Sequence, residues 1–272
     1  MGRINLKVLN FFLPIITMPF LVGPANGSSV NTVPWDSRIT NGGITTFTYS
    51  SGNPRAARAD FQVSDNKLVV TLINTSAFDI MVPEEVLTAI FFDLRGNPIL
   101  VSGDAILGSG SQVYRGSATI IVPEGDVGSE WAYRKDIATL PAAYCISSVG
   151  LGDLIGPKDR FDTSHDADYL WPPASPDGLQ FGIASTGDNP STGNGGVLAN
   201  PLIRDSVMFT LSGLSQDFGL DGIFNVWFHY GTDYSPPVYN PSSAVPEPVT
   251  MLGMFLGICG LVNYLRNRRV GH

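Results

Sequence analysis

The sequence predicts an all-β protein: a single antiparallel β-sandwich, jelly-roll-like, between an N-terminal signal helix and a C-terminal transmembrane helix. Three observations lead there. The chain holds 30 Gly and 20 Pro but only 15% charged residues, a turn-rich composition that disfavours long helices. Short apolar runs alternate with polar residues at period two. Between these runs stand the residues that make turns, and no internal repeat organises them.

In chain order, the first element is a leader. Residues 1–25 open with Arg3 and Lys7, continue through an apolar stretch at 8–22, and end on the small residues Gly23 and Ala25. That order is a secretory signal peptide removed after about Ala25, which requires passage through the Sec translocon. Pro14 and Pro19 oppose a lasting membrane helix, since each costs a helix interior roughly 3 kcal/mol.

Residues 27–240 form the predicted sandwich. The clearest signal is a hairpin: Phe61 and Val63 alternate with polar residues, Asp65-Asn66 tolerate positive φ, and Leu68, Val70 and Leu72 continue one face. Further strands are expected at 45–49, 86–94, 99–101, 112–114, 118–122, 143–148, 179–184, 207–211 and 223–230. In the last, Phe224, Val226, Phe228 and Tyr230 should share a face, with Asn225, Trp227 and His229 on the other. The Gly/Pro-dense stretch from about 156 to 201 is too long for an ordinary connection and reads as an elaborated surface loop, where binding functions sit.

The formal charge of −8 conceals an asymmetry. Arg3, Lys7, Arg266, Arg268, Arg269 and Glu247 lie near the ends, so the 16 basic and 24 acidic residues fall to 11 and 23 over 27–245, about −12. Such a domain does not bind nucleic acid or anionic lipid through phosphates. Cys259 falls in the terminal apolar run, leaving Cys145 alone in the central domain, so no disulfide can staple it. In "AAYCISSVG", Cys145 reads as a small buried strand residue.

Residues 241–272 carry the most specific pattern. Val245, Pro246, Glu247 and Pro248 precede an apolar span at 249–265, and Arg266, Arg268 and Arg269 follow it. As a helix the span reaches about 25 Å against a hydrocarbon core near 30 Å, just enough to cross with Arg266 snorkelling to the headgroups. The arginines hold the C-terminus on the cytoplasmic side as a membrane stop signal. Proline fixes its own φ and keeps its predecessor out of the helical region, so Pro-Glu-Pro is a stiff, extended element at the outer membrane face. A proline-flanked acid, an apolar span and a basic cluster, in this order, resemble the PEP-CTERM sorting signal of exosortase substrates. The resemblance implies that an exosortase-type processing enzyme recognises Pro246 to Pro248, cuts nearby, and passes the domain to the cell surface or extracellular matrix. The stretches "LINTSAFDIMVPEEVLTAIFFDLRGNP", "GSEWAYRKD", "SPDGLQFGIAS", "NPLIRDSVMFTLSG" and "VWFHYGTD" likewise resemble exosortase-dependent surface proteins; they carry no catalytic motif.

Chemistry is sparse. Asp162, His165, Asp166 and Asp168 in "DTSHDADY" could gather a hard cation, but the EF-hand spacing is absent and a solvated acidic loop is the simpler reading, with no metal or cofactor expected. Glu84, Glu85, Glu124 and Glu130 offer carboxylates that the sequence cannot pair for glycoside hydrolysis. His165 and His229 are the internal bases available to a serine hydrolase, yet no G-x-S-x-G elbow exists, and His229 reads as a structural strand residue. Trp35, Trp131, Trp171 and Trp227 could stack on sugar rings, and Trp171, in the long loop, is the candidate contact; the plainer reading is that most of the four fill the core. The sequence therefore points to a non-enzymatic exported surface protein. Second comes a carbohydrate-binding module within exopolysaccharide or biofilm matrix, and third a secreted hydrolase.

Overall fold

The computed structural model describes residues 31–51, 54–162 and 178–234. The expected leader at 1–25, the expected sorting signal at 241–272 with its apolar span, and the loop bearing His165, Asp166, Asp168 and Trp171 lie outside the described residues. Among the described residues, no helix is long and apolar enough to cross a membrane.

The protein is all-β. In chain order the strands are β1 (Thr32–Pro34), β2 (Ser37–Asn41), β3 (Ile44–Ser50), β4 (Ala56–Ser64), β5 (Lys67–Asn74), β6 (Leu87–Leu94), β7 (Val101–Leu107), β8 (Gln112–Arg115), β9 (Ala118–Ile120), β10 (Ala132–Lys135), β11 (Tyr144–Ser147), β12 (Ile183–Ala184), β13 (Leu202–Arg204), β14 (Ser206–Ser212) and β15 (Ile223–Tyr230). One sheet of six runs β2-β3-β4-β5-β14-β7. The other runs β1-β15-β6-β12-β13-β8-β9, with β11 also pairing β6 and β10 pairing β11.

The local reasons match the sequence in most places. The β4–β5 hairpin turns at Asp65 and Asn66, with φ of 50° and 61°, and keeps Phe61, Leu68, Val70 and Leu72 fully buried. The two sheets share one core. Phe47, Phe61 and Leu72 from the six-stranded sheet pack with Phe92, Ile146, Val226 and Phe228 from the other. An aromatic chain crosses between the layers: Trp35–Phe47, Phe47–Phe61 and Phe61–Phe92 meet edge-on at 5.4, 5.6 and 5.4 Å, and Phe92 stacks on Tyr144 at 5.4 Å. Contacts of this kind add roughly 0.5–1.5 kcal/mol each beyond area burial.

Strand β6 is buried on both faces. Its outer face, with Ala89 and Phe91, is covered by Cys145, Trp227 and the apolar residues Val149, Leu151 and Ile155 of the segment after β11. Cys145 sits fully buried in β11, and burial pushes its thiol well above its ordinary pKa.

The structure corrects several expectations. Strand β12 pairs β13 in parallel, so the sheet is not wholly antiparallel. The strand expected at 179–184 shrinks to Ile183–Ala184, because Phe181 has φ 55° and the Gly182 N–H turns back to Leu179 O at 3.1 Å. The strand expected at 99–101 begins at Val101 and runs on to Leu107, through a Ser-Gly-Asp stretch whose polarity hides it. Strands β1, β2, β10 and β13 were not anticipated; they are short or polar and exist through their partners. Phe224 does not share the core face with Val226, Phe228 and Tyr230. A bulge sets two residues of β15, Asn225 and Val226, against Phe92 alone, which sends Ile223 inward and leaves Phe224 45% exposed.

Candidate functional site

That bulge builds a chemically mixed surface, with apolar, cationic, anionic and amide groups side by side. Asn225 stands at φ 51°, a conformation that asparagine tolerates better than other side-chain-bearing residues. Its amide is tied down on both ends: Nδ2 donates to Asp93 Oδ2 at 2.6 Å and to Pro141 O at 2.9 Å, while Oδ1 accepts from Trp227 Nε1 at 2.8 Å. Phe224 is thus presented by a fixed backbone.

Beside it, β6 runs out through Arg95, Gly96 and Asn97, the last two at φ 78° and 49°. Asn97 Oδ1 accepts from Tyr144 Oη at 3.1 Å, which locks the turn to the core. Arg95 Nη1 meets Asp221 Oδ2 at 2.7 Å, and Arg38 Nη2 donates to Leu220 O at 3.1 Å, so both arginines grip the turn that precedes β15. The hydrogen bond and the charge of Arg95 hold the Asp221 carboxyl below its ordinary pKa. Arg38, Arg95, Asn97, Asp221 and Phe224 border a depression of about 610 Å³.

A second exposed surface lies near the other end of β6. The loop before β6 shows Phe78 and Met81 to solvent, and it is sewn to the segment after β12. Ile80 N–H donates to Asp188 Oδ1 at 2.8 Å, Asn194 N–H to Met81 O at 2.9 Å, and Met81 N–H to Glu85 Oε2 at 2.7 Å. Gly187 is required there: a Cβ would lie 2.3 Å from Ala77 O. Beneath, buried Asp188 accepts a hydrogen bond from Tyr114 Oη, and its carbonyl takes Arg204 Nη2 at 2.9 Å. Burial first, and the Asp188 hydrogen bond second, keep the Tyr114 phenol protonated. This cluster rivets two loops together, and Ala77, Phe78, Asp79, Met81 and Glu85 above it border a second depression of about 680 Å³.

The residues singled out from sequence are dispersed. His229 is wholly buried on β15, with Nδ1 at 2.8 Å from Thr32 Oγ1, and burial pulls its pKa down to about 3. It is a neutral interior residue with no access to a substrate. Asp162 is described only at the edge of its loop, its N–H bonded to Gly128 O at 3.0 Å. Among the described residues, no three His, Cys, Asp or Glu side chains gather to hold a metal ion. Trp131 and Trp227 are buried and Trp35 packs edge-on against Phe47, whereas Trp171 lies outside the described residues. Val245, Pro246, Glu247, Pro248, Arg266, Arg268 and Arg269 also fall outside them.

Sequence reasoning missed Arg38, Arg95, Asn97, Asp221 and Phe224 as neighbours. The available hints were the turn residues of "LRGNP" and "GLDGIFN", which mark the ends of two strands without saying that the ends meet. No family model, curated protein or solved structure matches the chain.

Proposed function

We propose that this is an exported protein, delivered to the cell surface or extracellular matrix by a C-terminal signal that an exosortase-type enzyme processes, and that its folded domain works by contact rather than catalysis. The observation that carries this reading is the order at the C-terminus: Val245-Pro246-Glu247-Pro248, an uncharged apolar span, then Arg266, Arg268 and Arg269, in a chain that opens with a cationic, apolar leader. The Pro- and Ser-rich stretch "SPPVYNPSSA" stands between the last described strand and the signal, a composition suited to a spacer that exposes peptide bonds to an enzyme at the membrane face.

The domain fits a contact role. Its described histidine is sealed and neutral, and the mixed surface beside Phe224 is a shallow depression rather than a deep cleft. In finer terms we read it as a single β-sandwich. β2 to β5 form a meander, and from β5 onward the chain crosses between sheets in a jelly-roll-like manner.

Mass spectrometry of the mature C-terminus, in membrane and medium, with and without the processing enzyme, tests the reading. The expected result is a chain shortened to the neighbourhood of Pro246–Pro248 only when the enzyme is present. Intact chains ending in Gly271-His272 as the sole form in an exosortase-bearing host would overturn it.

A further inference from the structure

We propose that the depression bordered by Phe224 and Arg95 binds a sugar unit of a neutral polysaccharide. This rests on the reading that the domain is displayed outside the cell, where such polymers occur, but the residues carry the argument.

The first support is the way Phe224 is presented. A regular β15 would place it in the core; the bulge instead turns it outward, on a backbone fixed by three hydrogen bonds from the Asn225 amide. Three residues in the left-handed region, Gly96, Asn97 and Asn225, lie at this one end. A rigid, half-exposed ring offers an apolar plate to the C–H face of a pyranose at little entropic cost.

The second support is the polar rim. Sugar hydroxyls both donate and accept, and this rim supplies both partners: the Asp221 carboxylate accepts, and the Arg38 and Arg95 guanidinium groups donate. The Arg95–Asp221 pair is exposed and already aligned, so it can be bridged by vicinal hydroxyls without bringing a bare charge into the site. A volume of about 610 Å³ lies within the usual span of small-ligand sites.

Charge selects among sugars. The domain's excess of acidic residues repels a polyanion at long range, a penalty that a neutral polymer does not meet. By contrast, the depression at Phe78 and Met81 is lined by the acids Asp79 and Glu85 without a cation, and the nearest one, Arg55, borders a neighbouring hollow without an exposed aromatic ring of the Phe224 kind.

The test uses the full-length chain in detergent micelles, with dextran, laminarin, mannan, xylan and polygalacturonate as immobilised probes. At least one neutral glycan should be retained with a Kd of about 1 mM or tighter. Phe224→Ala should weaken it by roughly tenfold or more, and Arg95→Ala by a smaller factor. Phe78→Ala should leave it unchanged. Retention of none of the neutral probes, a preference for polygalacturonate, or wild-type affinity in Phe224→Ala would each overturn the proposal. Binding is read on the unprocessed chain, whereas sorting is read from C-terminal mass, so either idea can fail while the other stands.

Discussion

The two ends of β15 are built from the same kinds of residue and behave in opposite ways. At the C-terminal end, Trp227, Phe228, His229 and Tyr230 are all buried, with Phe228 and Tyr230 in the inter-sheet core and Trp227 under the outer cover. At the N-terminal end, Phe224 stands in solvent beside two arginines. What separates the ends is the extra residue at Asn225, which puts Phe224 on the outer face, together with the apolar cover over that face, which buries Trp227 and leaves Phe224 exposed, rather than any difference in apolar content. A strand's side-chain period is two, so a single insertion reverses every face beyond it. Here it converts a core position into a surface one.

If that account is right, the same change four residues apart has very different effects. Phe228→Ala removes a fully buried ring from between the sheets and should destabilise the fold by about 3–5 kcal/mol, read as a lower urea midpoint at unchanged m. A loss under about 1 kcal/mol would mean that this end of the strand is not the packed one.

His229 gives the next largest contrast, through pH. The folded state holds it neutral, with a pKa near 3, because burial and the nearby Arg55 charge disfavour the imidazolium; the unfolded chain takes up a proton near pH 6.5. The unfolded state therefore binds more protons over that interval. Its contribution is complete above about pH 6.5 and is lost as pH falls towards 3. At pH 4 the loss from this group alone should be about 3 kcal/mol. His229→Phe should remove it, giving a flatter stability profile between pH 7 and 4 than wild type by denaturant titration. Parallel profiles for the two proteins would show that the imidazole is not sealed.

How much of this could be read from the chain follows the range of the interactions. The β4–β5 hairpin was legible because Asp65-Asn66 and the flanking alternation are local. The burial of Cys145 and the strand position of His229 were legible for the same reason, whereas the burial of His229 depends on partners as distant as Thr32. Phe224 was misplaced because its bulge is pinned by Asp93 and Pro141, more than 80 residues away in sequence. The depression was invisible because Arg38, Arg95, Asp221 and Phe224 come from separate segments, and only pairing of β15 with β6 brings their ends together. Trp171 was chosen on residue type and loop context, which says nothing about neighbours. The proposed C-terminal signal is the reverse case: its three parts are contiguous, so the proposal rests on linear order alone.

Asn225 is the hinge of the comparison, and replacing it should give an intermediate effect. Asn225→Ala strips three hydrogen bonds and leaves a residue with little tolerance for φ 51°, at a cost of about 1–3 kcal/mol. Asn225→Gly restores the backbone freedom and should recover part of that loss. Equal effects for the two variants would assign the whole cost to the hydrogen bonds.

The smallest predicted change in stability is the sharpest test of the contrast between the two ends. Phe224 contributes little to the core, since over two-fifths of it remains accessible and its neighbours are the aliphatic stems and charges of a surface rim. Truncating it to alanine should alter unfolding free energy by less than about 0.5 kcal/mol, the usual range for surface positions. An exposed ring costs solubility and gives nothing to folding, so a near-zero effect means that the outward-facing ring itself has no role in stability. If Phe224→Ala instead destabilises as Phe228→Ala does, the ring is a core residue seen at its edge, and the bulge is simply how the strand fits its neighbour.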